Sequence, residues 1–155
     1  MGVWLERCRV LVPALWAGLL LCIAAIATPA PFATLPPADA GRVVGRIFAQ
    51  EAYASLGIGI AMLLLERRQA ALRAERRAGS RVSAEMLLVL GTLFCTIAGY
   101  FALQPLIAAA RVGQGVLGFG QLHAVSVGFF ALKIVLVLVL AVRASRQPVS
   151  APPIS

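Results

Sequence analysis

From Val10 to Ala27 the chain runs for 18 residues without a charged side chain. That run is long enough to cross a bilayer as a helix. Three more apolar stretches follow, in the inner part of Ala40–Leu65, in Ala84–Phe101 and in Leu122–Val142. Four such runs leave few options. A water-soluble domain of 155 residues carries far more surface charge than the 13% found here, and 61% of this chain is hydrophobic. The sequence therefore predicts an all-α membrane protein, a four-transmembrane-helix bundle. A proline-rich outer turn and an Arg-rich cytoplasmic connector punctuate it. Residues 1–146 form one four-span domain, with spans near 10–27, 46–65, 84–104 and 122–142. The tail, 147–155, is too polar and proline-rich to fold.

Taken in order, Pro13 falls in the first turns of span one, where a missing backbone donor matters least. Arg7 and Arg9 ahead of an apolar run, with Ala25-Ile26-Ala27 after it, also fit a cleaved leader. The length of the run favours a span, and N-terminal sequencing decides between them. Pro29, Pro31, Pro36 and Pro37 predict a non-helical turn over 28–37, with Asp39 capping the next helix. That helix carries Gly41, Gly45, Ala49, Gly57 and Ala61 at four-residue steps, interrupted by Tyr53. Small residues so spaced read as helix-packing positions, within the chain or against a second copy.

The connector 66–83 holds Arg67, Arg68, Arg73, Arg76, Arg77 and Arg81. With Arg7, Arg9, Arg143 and Arg146 it places most of the positive charge on one side. Only Arg42, Arg46 and Arg111 fall on the other. The positive-inside rule then puts both termini in the cytoplasm of a bacterial inner membrane. The net charge of +8 belongs to this asymmetry and not to nucleic-acid binding, since no aromatic-studded basic groove accompanies it. In span three, Thr92, Thr96, Gly99 and Glu85 share a face, and such threonines bond back to a helix. Gln104-Pro105 ends that helix. Gly113, Gly115 and Gly118 form a GxGxxG that lacks the strand and acidic partner of a dinucleotide site. No internal repeat is convincing.

Chemistry-bearing residues are few. His123, Ser126 and Lys133 fall within an arc of about 80° on span four, at about 100° per residue. A mid-span lysine faces the bundle interior, because lipid penalises it. Glu51, on the second helix, is its expected partner, giving a polar intramembrane cluster of Glu51, His123, Ser126 and Lys133. Gln50, Gln104 and backbone carbonyls are the alternatives. Ser126 and His123 lack the acid and oxyanion hole of a hydrolase, so no catalytic residue is assigned. Cys8, Cys22 and Cys95 show no metal-ligand spacing with the single His, so neither metal nor cofactor is expected. The expected partners are the lipid bilayer and either a second copy or another membrane protein.

LWAG (Leu15–Gly18), ATPAPF (Ala27–Phe32), AGRVVGRIF (Ala40–Phe48) and FGQLHAVS (Phe119–Ser126), in this order, resemble the transmembrane protein 205-like family, known in bacteria as domain of unknown function 4149. The resemblance spans about Val10–Val142. It implies a small polytopic bundle and supplies no catalytic residues. On this reading the protein is a non-enzymatic scaffold or partner subunit. The competing function is a small transporter or channel component with Glu51, His123 and Lys133 along its path.

Overall fold

A computed structural model describes residues 3–75, 82–115 and 117–146. All regular structure among them is helical. Helix α1, Val3–Cys22, passes through a π turn, Ile23–Ala27, into α2, Pro29–Thr34. Helix α3, Pro37–Glu75, is 39 residues long. Helix α4, Ala84–Thr96, passes through a second π turn, Ile97–Ala102, into α5, Leu103–Arg111. Helix α6, Phe119–Ser145, completes the chain's described structure. Four helical stretches are long and apolar enough to cross a membrane: Trp4–Thr34, Pro37–Ala71, Ala84–Arg111 and Phe119–Ser145. Between 17% and 33% of the residues in their apolar windows are buried. Most of that apolar surface therefore faces outward, as lipid as solvent requires.

Several boundaries differ from the sequence reading. The stretch expected to break at Pro29 is helical to Thr34, because Pro29 and Pro31 lie in the first turn of α2. A first-turn residue has no intrahelical donor to lose. The break sits at Leu35, held extended (φ −120°, ψ 154°) by the following Pro36. Helix α3 then begins at Pro37, with Asp39 inside its first turn and paired with Arg42 rather than capping it. Pro13 is well inside α1, not near its start. Pro105 does not end the third span, since it is the third residue of α5 and the chain stays helical to Arg111. Of the connector, Arg67, Arg68 and Arg73 continue α3. Arg76, Arg77 and Arg81 lie outside the described residues, as does the 147–155 tail. Ser83 starts α4 by accepting the Met86 N–H at 3.2 Å.

The helices pack in a ring, α1–α3–α4–α6, each neighbouring the next and α6 closing on α1. α1 and α4 lie on one diagonal, α3 and α6 on the other. One end, the Arg end, holds the start of α1 and α4 and the finish of α3 and α6. The other, the loop end, holds α2, α5 and residues 112–115 and 117–118. There Gly113 (φ 74°) and Gly115 (φ 146°) adopt backbone that L side chains resist. The core lies between the diagonals. Trp16, Ala17 and Leu20 of α1 pack on Val137 of α6, and Met62 of α3 packs with Val89 and Leu93 of α4 and Leu140 of α6.

The chain has no convincing sequence repeat, yet it is built as two hairpins of one plan. Hairpin one is α1, π turn, α2, α3; hairpin two is α4, π turn, α5, α6. The correspondence lies in the π turns, the prolines after them and the ion pairs described below, whose charges are swapped between hairpins. Residue-by-residue similarity does not reveal a plan of that kind.

Candidate functional site

Lys133 sits at mid-length in α6, 3% exposed, and cannot stay charged in an apolar interior without a partner. Its stem leans toward the helix N-terminus, as helical side chains do, and so toward the loop end. Glu51 of α3 meets it there. Lys133 Nζ donates to both Glu51 carboxylate oxygens, each at 2.8 Å. No backbone of α3 comes within 8 Å of α6 among the described residues, so this pair spans the diagonal of the bundle. Lys133 also lies 4.9 Å from the Phe130 ring centroid. Phe130 in turn takes an edge contact from Phe48 at 5.0 Å.

The carboxylate has a second set of partners. Ser55, one turn below Glu51 on α3, donates its hydroxyl to Glu51 Oε1. Trp16 Nε1 of α1 donates to Ser55 Oγ at 2.9 Å. Trp16 reads from sequence as a packing residue. It packs, at 1% exposure, and it also closes a hydrogen-bond chain across three helices. Every buried side-chain nitrogen and oxygen among the described residues has a partner. Satisfaction of this kind makes a buried polar network specify one register rather than weaken the core.

The other two cluster members stand apart. Ser126 Oγ donates to the Gly99 carbonyl at 2.8 Å, across α6 and the second π turn. A π turn offsets its carbonyls from the usual donors, and Ser126 answers one of them. His123 is exposed and stacks on Phe119, with ring centroids 5.5 Å apart. Arg111 lies over the same Phe119 ring at 5.2 Å. Gln50, offered as an alternative partner for Glu51, faces outward. The predicted set of four thus divides into an ion pair, a helix-to-helix bond and a surface stack.

Thr92 and Thr96 are buried and donate back to Leu88 and Thr92 carbonyls at 2.9 and 3.0 Å, as expected. Within the chain, the small-residue stripe is not the packing face, and packing against a second copy is untouched by this. A side chain added at Gly41, Gly45 or Gly57 would meet nothing within 4 Å, and Gly57 and Ala61 are exposed, with Ala49 half-buried. Spacing shows that residues are small and not which way they face. The close approaches are at Gly59 against Leu93, Gly91 against Leu136 and Gly99 against Phe129.

Two ion pairs were not anticipated. Arg9 of α1 grips Glu66 of α3 through two bonds, at 2.7 and 2.8 Å. Arg143 of α6 reaches Glu85 of α4 at 3.0 and 3.1 Å. Arginines at span ends read as topology signals. The missed cue was a buried-face glutamate at the same depth on the neighbouring helix. The Arg9 and Glu66 side chains are 11% and 3% exposed, against 49% and 6% for Arg143 and Glu85. Arg9→Met is therefore expected to cost about 3–5 kcal/mol by stranding a buried carboxylate. Arg143→Met should cost less, because Glu85, though as buried, sits in the first turn of α4 and keeps its backbone and Ser83 hydrogen bonds. Unfolding of the two variants in mixed micelles checks the order.

Among the described residues no group of three His, Cys, Asp or Glu side chains is placed to hold a metal ion. Residues 11–115 match a family model described as Domain of unknown function (DUF4149). No curated protein and no solved structure matches the chain.

Proposed function

We propose, for a chain that belongs to the DUF4149 family of domains of unknown function, a non-enzymatic role in the membrane as a scaffold or partner subunit acting through its helix surfaces. The observation that carries this reading is the closure of the polar interior. Glu51, Ser55, Trp16 and Lys133 satisfy one another, and Ser126 is spent on a backbone carbonyl. A transport path lined by Glu51, His123 and Lys133 is the competing reading, and it draws on the same buried pair. Against it stands His123, stacked outside the bundle rather than aimed into it. The four quoted motifs further support kinship with the transmembrane protein 205-like family, as part of this proposal.

The bilayer fits the structure as follows. A hydrocarbon core of about 30 Å takes about twenty residues of helix. Laid from the Arg9–Glu66 level, it ends near Arg46 on α3. Glu51 then lies about 7–8 Å inside the loop-end boundary. Arg67, Arg68, Arg7 and Arg146 are exposed beyond the opposite boundary. The charge bias supports that boundary as the cytoplasmic one, in a bacterial inner membrane with both termini inside.

The double variant Glu51→Gln/Lys133→Met tests the role. It removes both charges together, so it should still insert and fold, and it should still co-purify with whatever partner the wild type retains. Loss of a solute or proton flux from a variant that remains folded would overturn the scaffold reading in favour of transport. Reporter fusions within 76–81 are expected to be active only in the cytoplasm, and activity only outside would reverse the orientation.

A further inference from the structure

The two hairpins are each tied internally at both ends. At the Arg end, Arg9–Glu66 joins α1 to α3 and Glu85–Arg143 joins α4 to α6. At the loop end, among the described residues, α2 packs only on α3 and the first π turn, and α5 only on α6 and the second. The offset carbonyls of the π turns are answered at home as well. Thr28 Oγ1 donates to Ile23 O at 2.7 Å, and Ser126 donates to Gly99 O.

Contacts between hairpins are distributed unevenly. The shared apolar core, Trp16, Leu20 and Val137 with Met62, Val89, Leu93 and Leu140, lies on the Arg side of the Glu51–Lys133 level. Toward the loop end, among the described residues, α2 and α5 bring no backbone within 8 Å of the opposite hairpin. The last crossing layer that holds a buried ion pair is Phe48 on Phe130 with Glu51 on Lys133. Exposed Tyr53 on Phe101 flanks it, α3 also approaches the second π turn, and the Arg46 charge acts on Tyr100 there.

We infer that the loop end opens and closes by the parting of the two hairpins, with the layer Phe48, Glu51, Phe130 and Lys133 as the latch and the apolar core near the Arg end as the pivot. A latch needs strength without breadth, and a charge pair sheltered from water supplies it. Among the described residues the pair crosses a diagonal where no backbones touch, so its release removes the outermost buried ion pair between hairpins without unpacking either one. Interfaces of this kind switch between discrete arrangements rather than flexing continuously. Neither a scaffold role nor a transport role is required for the motion.

The test uses the full chain in lipid nanodiscs, with Cys8, Cys22 and Cys95 replaced by alanine. Nitroxide pairs report each end by pulsed electron paramagnetic resonance. Ala33 of α2 with Ala108 of α5 reads the loop end, and Arg67 with Arg146 reads the Arg end; all four positions are exposed. The wild type should give a narrow distribution at both. Glu51→Gln should lengthen and broaden the 33–108 distance by several ångströms and leave 67–146 unchanged. Glu51→Lys/Lys133→Glu should restore the narrow loop-end distance. Where Glu51→Gln does not accumulate, Glu51→Gln/Lys133→Met and Phe130→Ala carry the same expectation. An unchanged 33–108 distance in the accumulated variants overturns the latch. So does broadening at both ends alike, which would signify general loosening.

Discussion

Lys133→Met alone is expected to be the most damaging single substitution in the chain. It leaves the Glu51 carboxylate, 4% exposed, with only the Ser55 hydroxyl to answer it among the described residues. Breaking one side of a buried ion pair typically costs about 3–5 kcal/mol, whereas replacing both partners by well-packed uncharged residues is often neutral or stabilising. A membrane interior has no water to repair the loss. The variant should accumulate poorly, or run as an aggregate, while Glu51→Gln/Lys133→Met recovers most of the wild-type level. Fluorescence-detected size exclusion of tagged proteins from the same membranes reads both. If the single and double variants behaved alike, the damage would lie in lost packing at Lys133 and not in a stranded charge.

Gly99→Ala should be the second large effect. A Cβ at Gly99 would lie 2.5 Å from the Phe129 Cβ, an atom fixed to the α6 backbone. No rotamer change relieves that clash, so the second π turn and α6 must separate and strain the Ser126 bond to the Gly99 carbonyl. Overpacking of this kind costs about 1–3 kcal/mol. Gly59→Ala is the instructive comparison. Its nearest neighbour would be Leu93 Cδ2 at 2.6 Å, the far end of a flexible side chain. It should therefore cost less. Gly57→Ala, facing open space, should be close to neutral. The expected order of unfolding midpoints in mixed micelles is Gly57→Ala, then Gly59→Ala, then Gly99→Ala. Gly57→Ala proving the worst would show that the outward face of α3 is covered by another chain.

The contrast between these glycines explains what a sequence of this kind discloses. Hydropathy placed the four spans because lipid requires an apolar run of fixed length, and that requirement is read locally. Lys133 pointed to Glu51 because a mid-span cation needs an acid, and few acids are at hand. His123 was misplaced by the same helical-wheel argument. A wheel gives direction around one helix, but at the loop end α5 and Phe119 decide what is inside. The prolines were read as breaks because the π turns ahead of α2 and α5 have no local signature, and they let Pro29, Pro31 and Pro105 enter as first-turn residues. The Arg9–Glu66 and Glu85–Arg143 pairs needed relative helix depth, which no single helix carries in its own residues.

Helix α3 has a mechanical consequence. Its 39 residues run from Pro37 to Glu75 with no π turn to soften them. At about 1.5 Å per residue that is a rod of about 58 Å, nearly twice the hydrocarbon thickness it traverses. A stiff pointer of that length magnifies. A slight tilt about the apolar core near its arginine-bearing end becomes a much larger displacement of its proline-bounded foot, the end farther from that core.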